Sequence, residues 1–177
     1  MMLCAGQPKI SVSTSNFDPS PARPDRMYRK GRPVDAEFLP SELLYYRISV
    51  TGPIGSRPDG VDIRLPEDSV NRGKYSEPGD VLFPEYFHLG VAEFPVSKIP
   101  APRSFTDQQG NTRDYELKVE HDPEEENYAH SEVRAFRESL RVTRTGKIPI
   151  TVKSEFRQLI AEAMVVRIAV PVGRPSP

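Results

Sequence analysis

The sequence predicts an α+β fold: a small mixed or antiparallel sheet, two helices in the C-terminal half, and an extended proline-rich N-terminal arm. Three observations carry that prediction. Short segments between Leu43 and His121 alternate apolar and polar residues, as half-buried strands do. Two segments beyond Asp122 repeat apolar residues at three- and four-residue spacing, as amphipathic helices do. Finally, there are 19 prolines in 177 residues, about twice the ordinary frequency. Proline costs about 3 kcal/mol inside a helix, so regular elements should be short.

Residues 1–36 form the arm. Pro8, Pro19, Pro21, Pro24 and Pro33 lie among many serines and the basic residues Arg23, Arg26, Arg29, Lys30 and Arg32. Such a stretch buries too little apolar surface to offset its ordering entropy, so it is expected to be flexible or to wrap against the body. Met27 is an alternative start to Met1. One domain spans 37–172, and 173–177 are a short tail.

Within the domain, Leu44, Tyr46, Ile48 and Val50 alternate along a first strand, and Val61, Ile63 and Leu65 along a second. The polar run Asp68–Ser76 reads as a loop, followed by a short helical turn through Leu82. A third strand spans His88 to Val96, and Pro95, Pro100 and Pro102 set its end at a sheet edge. Residues 103–114 read as a polar loop turning at Gln109-Gly110-Asn111. A fourth strand holds Tyr115, Leu117 and Val119.

Asp122-Pro123 has the chemistry of a helix start, with Glu124, Glu125 and Glu126 in the first turn. Ala129, Val133, Phe136 and Leu140 would be that helix's apolar stripe. Pro149 bars a helix at its own position, and Ser154 caps a second helix with buried face Phe156, Leu159, Ile160, Ala163 and Met164. Val165 to Val172 closes the sheet.

Composition excludes several classes. Hydrophobic residues are 37% and charged residues 28%, with a net charge of −1, which fits a chain with a core and argues against a wholesale nucleic-acid coat. No apolar run reaches the ~18–20 residues that span a bilayer, so no membrane association is expected. Cys4 alone makes no intramolecular disulfide and no cysteine zinc site. With no signal peptide visible, it suggests a cytoplasmic protein. Phosphate-loop, Gly-x-Ser-x-Gly and His-Glu-x-x-His motifs are missing, and the sequence specifies neither a cofactor nor an oligomeric state.

Charge is unevenly placed. Residues 1–106 are neutral, 107–127 carry eight acids against Arg113 and Lys118, and 128–177 carry four acids against nine bases. On the expected helix, Arg134, Arg137, Arg141 and Arg144 share a flank, and Lys147 extends it. This patch points to a binding or accessory module that engages a protein or nucleic acid. Alternatively, the basic end complements the acidic loop.

Two enzyme constellations compete with it. His121, His130 and Glu132, with His88 nearby, have the donor types for a divalent metal. On a helix, however, His130 and Glu132 would point about 200° apart. The second set is Arg47 on the first strand, Ser69 and Arg72 in the polar loop, and Glu93 or Glu132. By residue type it resembles the parts of an ADP-ribosyltransferase-like cleft. That resemblance implies an arginine holding phosphate or ribose and a glutamate stabilising positive charge at the ribose.

Overall fold

The computed structural model describes residues 23–171 apart from Thr51 and Pro84. Its described residues form an eight-stranded antiparallel sheet carrying one α-helix. The strands are β1 (Leu43–Ile48), β2 (Glu67–Arg72), β3 (Gly90–Pro95), β4 (Arg103–Thr106), β5 (Thr112–His121), β6 (His130–Arg137), β7 (Leu140–Arg141) and β8 (Val165–Ile168). They lie in the order β4-β5-β6-β2-β1-β3-β8, with β7 paired to β6. The helix, α1, is Ile150–Ala163. None of the described helices is long and apolar enough to cross a membrane.

The two-helix expectation is therefore corrected. In place of a helix over 123–140, β5 and β6 form a hairpin around a turn bridged by Glu124 and Asn127. The segment satisfies two periods at once. Ser131, Val133 and Ala135, at strand spacing, are buried, whereas Leu140 of the supposed helix stripe is exposed. Asp122-Pro123 serves its other role, that of turn initiator. The next turn, Glu138-Ser139, has φ of 50° and 67°, as a two-residue type I′ hairpin requires.

The second helix does form, but it begins at Ile150 directly after Pro149. Proline's fixed φ suits the start of a helix, so Pro149 precedes the helix without barring it. Val152, Phe156 and Ile160 are its buried stripe.

The second and third strands also differ from expectation. Residues 61–65 form no strand, although Ile63 and Leu65 are buried, while the expected loop at Ser69 is the interior strand β2. Polar β2 can lie there because its buried groups are satisfied. Asp68 accepts hydrogen bonds from the Tyr46 hydroxyl at 2.7 Å and the Arg64 N–H at 2.7 Å. Likewise β3 is an interior strand between β1 and β8, with Pro95 as its last residue, and β4 pairs with β5 within the expected 103–114 loop.

The two faces of the sheet are unlike. One carries Leu44, Tyr46, Val70, Phe94, Val133, Ala135 and Val166 beneath α1. On the other, segment 78–89 covers only the β1-β3-β8 half through Val81, Leu82, Tyr86 and Leu89. The β2-β6-β5 half of that second face is polar. From Arg23 onward the arm packs beside it: Met27 is buried, its carbonyl accepts the Tyr128 N–H, and Arg26 pairs with Asp80.

Candidate functional site

The polar half-face owes its composition to register. Tyr45 stands opposite Asn71, and Asn71 opposite His130, while Ser69 stands opposite Glu132. With a side-chain period of two, Arg47, Ser69, Asn71, His130 and Glu132 therefore share one face. Segment 78–89 and the arm wall off part of it, leaving a cleft of about 230 Å³ lined by Arg23, Tyr45, Arg47, Ser69, Asn71, Tyr86, Asn127 and His130, among others. That volume is below the ~300–1,000 Å³ of drug-sized sites, so the cleft has room only for a small molecule.

His130 is fixed at both ends. Its Nδ1 lies 2.7 Å from the Asp122 carbonyl oxygen, and its Nε2 lies 3.3 Å from Ser69 Oγ. A carbonyl can only accept, so Nδ1 carries a proton; in the neutral ring Nε2 is then the acceptor, and the Ser69 hydroxyl donates to it. Next to this pair, the side-chain amides of Asn71 and Asn127 donate to each other at 3.4 and 3.1 Å.

The charges in the cleft differ in how they are held. Asp80 is engaged by Arg26 at 2.9 and 3.0 Å and by the Glu77 N–H. Arg23 donates to the main-chain carbonyls of Glu126 and Phe83. Arg47 stacks its guanidinium 3.9 Å from the Tyr86 ring centre. Among the described residues, no carboxylate pairs with Arg47.

The proposed metal ligands do not converge. His121 is on the opposite face from His130 and Glu132, because it stands opposite Ser131. Its Nδ1 accepts the Asp35 N–H at 2.9 Å and its Nε2 donates to the Tyr128 carbonyl at 2.6 Å. Burial, with Arg72 adding to it, lowers the His121 pKa and keeps the ring neutral. His88 lies outside the cleft lining. Among the described residues no group of three or more His, Cys, Asp or Glu side chains is placed to hold a metal ion.

The transferase-like set divides. Arg47 and Ser69 share the cleft, but Arg72 is three residues beyond Ser69 on the same strand and so faces the other way. Arg72 is fully buried, with Nε and Nη2 on the Glu42 carboxylate at 2.7 and 2.9 Å. Both glutamates are already partnered: Glu93 with Arg167 at 2.7 Å and Glu132 with Arg134 at 2.7 Å.

The arginine row divides as well, because it lies on strands and a turn. Arg134 is ringed by Glu120, Asp122 and Glu132 at 2.7, 2.5 and 2.7 Å, with Glu67 at 3.8 Å. Arg141 and Arg144 both pair with Glu67, at 2.8 and 2.9 Å, and hold its carboxyl below the usual range. Arg137 points to the opposite face, opposite Tyr115. With Arg113 and Lys147 it lines a separate groove of about 520 Å³ that has no acidic lining residue.

No protein-family model, curated protein or solved structure matches the chain. Geometry alone carries the functional assignment. Sequence reasoning missed Asn71 and Asn127 as cleft residues and sought His130 for a metal. The alternation of Tyr45/Arg47 and Ser69/Asn71 was the available signal once β2 is taken as a strand.

Proposed function

We propose that the protein binds a small ligand carrying one anionic group, phosphate or carboxylate, in the cleft between β1, β2 and β6. Arg47 carries this reading. Its guanidinium is half-buried, oriented by Tyr86, and unpaired by any carboxylate among the described residues. Asp80, Glu85 and Glu124 also line the cleft, but none of them pairs with Arg47. A partly desolvated cation that no carboxylate engages favours an anion more than a solvated one does. Ser69, Asn71, Asn127 and His130 supply the neutral donors and acceptors that fix a ligand's orientation. The single Cys4 suits a reducing, cytoplasmic setting for such a protein.

Titration calorimetry of the full chain with inorganic phosphate and with succinate tests the assignment. Binding of at least one, weakened about tenfold or more by Arg47→Gln, is expected, since a hydrogen bond to a charged group contributes roughly 1.5–3 kcal/mol. Binding by neither ion, or equal affinity in the variant, would overturn it.

A second role rests on a different observation. Arg113, Arg137 and Lys147 have no ion-pair partner among the described residues and flank the aromatic rings of Phe105 and Tyr115. They retain, in narrower form, a basic surface for an acidic protein or a nucleic acid.

A further inference from the structure

We propose that the cleft is a hydrolytic site in which Ser69 is the nucleophile and His130 its general base, acting on small carboxylic esters that carry an anionic group. The proposal rests on the anion-binding role of Arg47 and adds chemistry to it. Three features combine. The Ser69 hydroxyl donates to His130 Nε2 at 3.3 Å, the long end of hydrogen-bonding reach for a site that tightens around its substrate. The Asp122 carbonyl, 2.7 Å from Nδ1, fixes the tautomer that leaves Nε2 basic. This is the arrangement of nucleophile, base and orienting group that activates a serine. Third, both side chains line the cleft that also contains Arg47.

Asn71 and Asn127 add a means of stabilising charge. Each amide spends one N–H on the other, and a primary amide has two. The remaining N–H groups are donors in the same cleft as Ser69 for the oxygen that becomes negative during attack.

The step balances with water as co-reactant. Ser69 Oγ bonds to the ester carbonyl carbon as its proton passes to His130 Nε2. The carbon–oxygen bond to the leaving alcohol then breaks, and that oxygen takes the proton from His130. Water attacks the acyl-serine, giving its proton to His130. Ser69 leaves with that proton, so ester and water become acid and alcohol.

The test uses the full chain with a fluorophosphonate probe, and with p-nitrophenyl acetate and mono-p-nitrophenyl succinate as substrates. Peptide mass mapping should place the adduct on Ser69. Ester hydrolysis should disappear in Ser69→Ala and fall at least a hundredfold in His130→Asn. Adduct formation should slow as pH falls in the parent chain but not in His130→Asn, a dependence that a merely structural histidine would not produce. The succinate ester should be preferred, and Arg47→Gln should abolish the preference. Mapping is done on the unsubstituted chain, so an unfolded variant does not obscure the result. No adduct, or an adduct elsewhere, overturns the nucleophile. If phosphate or succinate still binds in that case, the anion-binding role stands. If Ser69 is labelled but neither anion binds, the nucleophile stands and the Arg47 role falls.

Discussion

Glu132 and Arg134, two residues apart on β6, meet on one face of the sheet with Oε2 2.7 Å from Nε. On a helix these side chains would diverge; on a strand the period of two brings them together. Arg134 is thereby drawn into a nest of four carboxylates and withdrawn from solvent.

Replacing Arg134 with methionine should therefore destabilise the fold. The change leaves Glu132 and Glu67, both largely buried, without their central counter-charge. Removing one partner of a buried pair costs about 3–5 kcal/mol. Glu120 and Asp122 are open to water, and Arg141 and Arg144 still reach Glu67, so the low end, about 3 kcal/mol, is expected. Urea unfolding of the two proteins measures it. A loss below ~1 kcal/mol would mean that the cluster is a solvated surface network.

How much of this was legible in the sequence depended on whether the deciding partner was local. The alternation of Leu44, Tyr46 and Ile48 needs no partner to be read, and β1 follows from it. Segment 129–140 satisfies helix spacing through Ala129, Val133 and Phe136 and strand spacing through Ser131, Val133 and Ala135. Pairing with Glu67–Asn71 and Tyr115–His121 decides between them, and those residues lie far off in sequence. Polar β2 was hidden for the same reason, since Asp68 is acceptable inside only because Tyr46 and Arg64 meet it. Arg47, Ser69 and His130 stood out by residue type. Their convergence did not, because it requires β2 and β6 to be adjacent strands.

Phe156 tests the helix's place in the fold. Its side chain is fully buried between α1 and the sheet, in one cluster with Phe94 and Val166. Phe156→Ala should cost about 3–5 kcal/mol through lost burial and the cavity left behind. Chemical denaturation followed by far-UV circular dichroism should show a lower midpoint with an unchanged slope. An unaltered midpoint would mean that α1 is not docked on this face.

His121 should make stability fall in mild acid. Its folded-state pKa is lowered from 6.5 by burial, so below about pH 6.5 the unfolded chain binds the extra proton first. Stability from this group is full above the unfolded pKa and is lost as pH falls through the folded one. The groups around it do not reverse the sign. The Tyr128 carbonyl, Asp35 and Glu42 favour protonation more weakly than burial resists it, and Arg72 opposes it. The Tyr75 and Tyr128 rings pack against the imidazole. Urea unfolding at pH 7.5 and 5.0 should give a smaller difference for His121→Gln than for the parent chain. Equal differences would place the acid sensitivity elsewhere.

Arg137 and Lys147 separate an active basic surface from a neutralised one. Both line the groove without acids, whereas Arg141 and Arg144 are paired with Glu67. If the groove takes an acidic partner, Arg137→Gln/Lys147→Gln, which removes the same two charges as the control pair, should elute from heparin at markedly lower salt than the parent chain. Arg141→Gln/Arg144→Gln should shift elution less, because its charges are already partly spent inside the molecule. Affinity also depends less steeply on salt when fewer anionic groups are neutralised, so the slope should fall by roughly one to two for the first pair. Equal shifts from both pairs would show that heparin senses only overall charge, leaving the groove no special role.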